Sequence, residues 1–168
     1  MNDTQIDLFK SLLNSLNNIL QPLFSKYLQN EINITLEKKK RELLSKLDKL
    51  IKKEQYILIS ASHSKKILKN LGFNPLKLIV SGGPILFNDY IKVNPNLSEK
   101  DLQGISKKSK SLIIKLKKIA RANSDITFIY EKNNRTDQII LEELNEIKKN
   151  IGKAIFVIEI PNWRKLEF

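Results

Sequence analysis

Residues 56–72 read YILISASHSKKILKNLG, and this stretch decides the fold class. Tyr56-Ile57-Leu58-Ile59-Ser60 is a short β-type run, followed by the polar segment Ala61-Ser62-His63-Ser64. Ile67, Leu68 and Leu71 then recur at helical spacing, and Gly72 stands where a helix closes. A strand, a polar turn and a helix within 17 residues form one unit of an alternating α/β chain.

The alternation continues downstream. Asn74-Pro75 resets the chain, 76–80 reads as a second strand, and Ser81-Gly82-Gly83-Pro84 reads as a turn. Ile85-Leu86-Phe87 reads as a short strand or loop, and Asn88-Asp89 begins another turn. Ser98 and Asp101 mark the start of a helix over 98–122, with Gly104 as its weak point. DITFIY at 125–130 is a third strand. Thr136 is expected to cap a helix over 137–150 that Gly152 ends, and AIFVIEI at 154–160 is the last strand. Strands alternating with helices predict a small, mostly parallel sheet of about four strands flanked by helices.

Upstream of Tyr56 the period is helical. Ile6, Leu8, Phe9, Leu12, Leu13, Leu16, Ile19, Leu20, Leu23, Phe24, Tyr27 and Leu28 recur mostly at steps of three and four, predicting a helix over 4–29 that Pro22 kinks or splits. A break is expected at 30–33 and a second helix over 34–54. The expected organisation is a helical hairpin arm, 1–54, followed by an α/β domain, 55–168. The wide apolar face of the first helix must pack on the domain, on its partner helix, or on a second subunit, which makes a homodimer through the N-terminal helices a candidate assembly.

Composition excludes several chemistries. The chain of 168 residues has no cysteine and one histidine, His63. A disulfide framework, a thiolate zinc site, a cysteine nucleophile and an all-histidine metal site within one chain are therefore excluded. No metal, no cofactor and no catalytic residue is expected. The first 20 residues lack a basic n-region, and no apolar run approaches the roughly 20 residues of a membrane span, so the expected location is cytoplasmic.

Formal charge is +12, and two segments carry the excess. Residues 36–70 hold 11 Lys/Arg against 4 Asp/Glu, and residues 98–122 hold 8 against 2. Between Gly104 and Ala122 there is no acid at all, while Lys107, Lys108, Lys110, Lys115, Lys117, Lys118 and Arg121 occupy the face left by Ile105, Leu112, Ile113, Leu116, Ile119 and Ala120. Such clustering is the footprint expected for a polyanion partner, DNA or RNA. A solvated face in a lysine-rich chain produces the same pattern. So does a basic helix neutralised by Glu142, Glu143 and Glu146 of the following helix.

A second candidate lies in the loops that follow the strands, where open α/β sheets bind ligands. Ser60, Ser62, His63 and Ser64 place hydroxyls and an imidazole before a helix N-terminus, a composition suited to an anion but equally to ordinary capping. Gly82 and Gly83 permit a turn of positive φ beside them. Neither nucleotide-binding glycine fingerprint is present, and a Ser–His–Asp arrangement would need Asp89 or Asp125 as its carboxylate. The leading expectation is a non-enzymatic nucleic-acid-associated protein contacting phosphates through the basic helix. The alternatives are a small α/β enzyme or phosphate- or nucleotide-binding domain at the strand ends, and an assembly protein using the arm.

Overall fold

The computed structural model describes residues 3–166, with side-chain surroundings for 14–164. Among these are five helices and four strands: α1 (Asp3–Lys52), β1 (Tyr56–Ile59), α2 (Ser62–Asn70), β2 (Leu78–Val80), α3 (Phe87–Val93), α4 (Glu99–Arg121), β3 (Ile126–Glu131), α5 (Arg135–Ile151) and β4 (Phe156–Ile160). The chain divides into two units, one ending at Leu47 and the other beginning at Asp48. No helix among the described residues is long and apolar enough to cross a membrane.

The second unit is the expected α/β fold. Its sheet is parallel throughout, in the order β2-β1-β3-β4. Side chains alternate across it. Ile79, Leu58 and Phe128 are register neighbours on one face and join Leu116, Ile119, Ile140 and Ile147 of α4 and α5 in a single buried cluster. Ile57 and Ile59 alternate to the other face, where α2 contacts β1 and β2 and buries Ile67 and Leu68. The amino end of the sheet is pinned by Gln55, which accepts from the Thr127 hydroxyl at 2.9 Å, while the Tyr56 amide donates to Asp125 O at 3.1 Å.

Two local expectations are corrected. Residues 85 and 86 form a loop rather than a strand, and the turn expected at 88–89 is part of α3, which begins at Phe87. The cap of α5 is Asn134 rather than Thr136: its side chain accepts from the Asp137 amide at 3.1 Å, and the helix starts two residues earlier. Gly152, in the left-handed conformation at φ 77°, closes that helix as expected. Gly104 lies inside α4 without breaking it.

The largest correction concerns the arm, which is one helix rather than a hairpin. α1 passes through both Pro22 and residues 30–33 without interruption. The polar residues expected to break it instead bond along it: Gln29 Nε2 donates to Asn33 Oδ1 at 3.2 Å and Thr35 Oγ1 to Glu31 O at 2.9 Å, both at i,i+4 spacing. Pro22 removes one backbone donor, and residues 14–39 are exposed, so water reaches the carbonyl left without a partner. With no second helix folded back, Leu16, Ile19, Leu20, Leu23, Phe24, Tyr27 and Leu28 stay exposed within the chain. The expected apolar residues nearer the N-terminus, Ile6 to Leu13, lie outside the residues whose side chains are described.

Candidate functional site

α4 is built for its polarity. The Ser98 hydroxyl accepts from the Asp101 amide at 3.2 Å, Glu99 and Asp101 occupy the positive N-terminal turn, and Lys118 and Arg121 the negative C-terminal turn. Ser109, Leu116 and Ile119 are buried, with Leu112, Ile113 and Ala120 packed beside them. That leaves Lys107, Lys108, Lys110, Lys115, Lys117, Lys118 and Arg121 all exposed, as the helical period requires.

The acids of α5 do not neutralise them. Glu142 and Glu146 are exposed, and Glu143 is buried against the loop before α3. None of the ion pairs Lys52–Asp48, Lys92–Asp89, Lys132–Glu159 and Lys153–Asp125 involves a cation of α4. Lys107, Lys110, Lys118 and Arg121 fall within one narrow sector of the helix. At 1.5 Å per residue they span roughly 21 Å along its axis.

Lys108 is the exception, because it serves the neighbouring loop. Its Nζ donates to Gly82 O at 3.0 Å and lies 5.8 Å from the centre of the Tyr90 ring. The loop itself needs its glycines. Gly82 has φ 64° and Gly83 φ 138°, and a Cβ on Gly83 would lie 2.9 Å from the Tyr90 ring. Ser109 Oγ donates to Ile85 O at 2.7 Å, so two residues of the basic helix hold residues 82–85 in place.

The strand ends gather as expected of a parallel sheet. The order β2-β1-β3-β4 reverses between β1 and β3, the position where ligands bind in open α/β sheets. The Ser81 amide donates to Ile59 O at 2.9 Å and the Gly82 amide to Ser60 O at 2.8 Å, which carries the ladder past β2 and brings Ser60 beside the glycine loop. Ser62, His63 and Ser64 form the first turn of α2 rather than a loop before it. The N-cap is Ala61, with no side-chain cap bond, so the serines are not N-caps. Ser62 and His63 are exposed, whereas Ser64 is buried and its Oγ has no partner.

Sequence reasoning missed Asp137, which is fully buried at this same edge. Its Oδ2 accepts from the Glu131 amide at 2.7 Å, and Oδ1 has no partner. Burial raises its pKa, the Ser60 hydroxyl and the Glu131 amide lower it, the Glu131 charge raises it and nearby His63 lowers it. In the sequence it is an ordinary acid in a helical first turn; only strand order brings it to Ser60. No hydrogen bond between His63 and a carboxylate is present among the described residues. Asp89 pairs with Lys92, and Asp125 sits at the opposite end of the sheet with Lys153 and Gln55, so neither completes a Ser–His–Asp relay. No group of three or more metal-ligating side chains occurs among the described residues.

The family model that matches this chain is described as SepCysE-like and covers residues 17–157. The chain belongs to the SepCysE-like family. The matched region takes in most of α1 and runs through the α/β unit into β4, so both the arm and the sheet are part of what defines it. Comparison with curated proteins gave no match, and neither did comparison with solved structures.

Proposed function

We propose that the protein binds nucleic acid through phosphate charge, using the outer face of α4. The observation that carries this reading is the set of six exposed cations from Lys107 to Arg121 on α4 besides Lys108, four of them in one sector, with no ion-pair partner among the described residues. Like charges at helical i,i+3 and i,i+4 spacing repel by a few tenths of a kcal/mol per pair, a cost that a polyanion relieves. The sector of Lys107, Lys110, Lys118 and Arg121 carries no aromatic side chain, which favours phosphate contact over base stacking. The strand-end edge is a poorer place for phosphate, because the carboxylate of Asp137 faces Ser60 there.

Replacing Lys107, Lys110, Lys118 and Arg121 with Gln tests the reading while leaving Lys108 to hold its loop. Four phosphate contacts give a slope of log K against log salt of about −3 to −4 on duplex DNA. The quadruple variant is expected to lose most of that slope and keep the wild-type circular dichroism spectrum. Wild-type protein with no measurable binding to duplex or single-stranded probes at low salt would refute the proposal.

A further inference from the structure

Ile114 stands at the centre of the cationic face of α4. It is 55% exposed, the one large apolar side chain of this helix on the water side. Lys110 and Lys118 lie four residues before and after it, and Lys107 and Arg121 seven, so all five share one face. Ser111, also exposed, completes an uncharged centre. At 1.5 Å per residue the inner pair of cations is about 12 Å apart along the axis and the outer pair about 21 Å. Core packing does not account for Ile114, because Leu112, Ile113, Leu116 and Ile119 already supply the inward face.

Cations at both ends of a stripe and none at its middle suit a partner whose negative charge lies on two lines with a less charged surface between them. A double helix has that form, with a phosphate backbone on each side of a groove and sugar and base edges within it. A single strand laid along α4 would bring phosphate against Ile114 as well. Surfaces that track single strands also place aromatic rings among the cations to stack bases, and α4 carries no aromatic side chain. The separation selects a wide groove. The major groove of B-form DNA is about 12 Å across and the minor groove of A-form RNA is wide and shallow, whereas the B-form minor groove is only about 6 Å across.

We propose, in an inference that rests on the phosphate-binding reading above, that α4 lies across the wide groove of a double helix. Lys107 and Lys110 meet the phosphates of one strand, Lys118 and Arg121 those of the other, and Ile114 and Ser111 face the sugar and base edges between. The two kinds of contact differ in their response to salt. The cations bind by releasing counterions, while Ile114 binds by burying apolar surface, which salt does not screen.

The test titrates full-length protein, at several salt concentrations, with an RNA duplex, a DNA duplex and the unpaired strands of each, all of one length. At least one duplex is expected to bind about tenfold more tightly than its own strands, and the tighter duplex names the helix form. Ile114→Ala is expected to weaken duplex binding roughly three- to tenfold with the slope of log K against log salt unchanged. Because the chain has no cysteine, an iron chelate tethered through Ile114→Cys releases hydroxyl radicals from the centre of this face alone, and it is expected to cut both strands of the bound duplex. Wild-type protein that binds none of the probes overturns the phosphate reading itself. Three other results overturn the duplex proposal and leave that reading standing: strands bound as tightly as duplexes, cleavage confined to one strand, or full duplex affinity in Ile114→Ala.

Discussion

Glu143 is the residue on which the loop before α3 depends. Its Oε1 accepts from the Ile85 and Leu86 amides at 3.1 and 2.8 Å, and its Oε2 from Ile85 at 2.8 Å. Burial, together with the Asp89 carboxylate, outweighs those amide bonds and pushes its pKa up to about 7. Tyr90, itself raised by burial and by Glu143, faces the pair, with Lys92 on Asp89 at its rim. A folded-state pKa above the unfolded one means the folded chain holds the extra proton between about 4.5 and 7. Stability should therefore fall as pH rises through that window and level off above it. Thermal melts of Glu143→Gln, which keeps an acceptor for the amides but cannot ionise, should show a flatter pH profile. Glu143→Ala should lose about 1–3 kcal/mol for each amide left unpaired, read by urea denaturation.

Among the elements, α1 raises the sharpest physical question, since it carries a proline in its interior. A mid-helix proline costs about 3 kcal/mol relative to alanine and leaves a carbonyl four residues earlier unpaired. Because α1 is continuous through Pro22, Pro22→Ala should add that bond. Helical ellipticity should rise and amide exchange should slow near residues 18–26. Unchanged ellipticity and exchange in Pro22→Ala would count against this expectation. The apolar spacing also explains why the arm was legible as helix but not as one helix. Steps of three and four persist from Leu16 to Leu28 and again from Leu43 to Ile51, while 29–35 is polar apart from Ile32 and Ile34. Such a segment gives no face to pack, but it does not forbid the helix, because its own side chains bond at i,i+4.

Across the whole molecule, charge lies in two segments, and only α4 sits wholly within the α/β unit. If the cations of the arm act with those of α4, Lys38, Lys39 and Arg41 changed together to Gln should lower the salt slope of nucleic-acid binding by about 0.9 per lost contact, in addition to the effect of the α4 variant. An unchanged slope would leave α4 as the phosphate surface and the arm's cations to solvent.

The sequence by itself determined the class of the second unit and the outward face of α4. Both follow from local pattern: Tyr56–Ile59 and Ile126–Glu131 are short, β-branched and aromatic runs bounded by polar segments, which suits a buried strand, and Leu112, Leu116 and Ile119 oblige Lys107, Lys110 and Lys118 to point away. It also placed Ser60 and Gly82 on one edge, because strands joined through helices run parallel. Tertiary structure decided what lies between segments far apart in the chain. Glu143 sits 58 positions from Ile85 and could equally have faced Lys107 or Lys110, as the spacing of α5 allowed; the amides of 85 and 86 captured it instead. Asp137 reached Ser60 only because β3 lies beside β1, and β4 became an open edge only because the order is β2-β1-β3-β4. Period specifies which side of an element is buried, but strand order and the competition for buried acceptors depend on the packing of the whole unit.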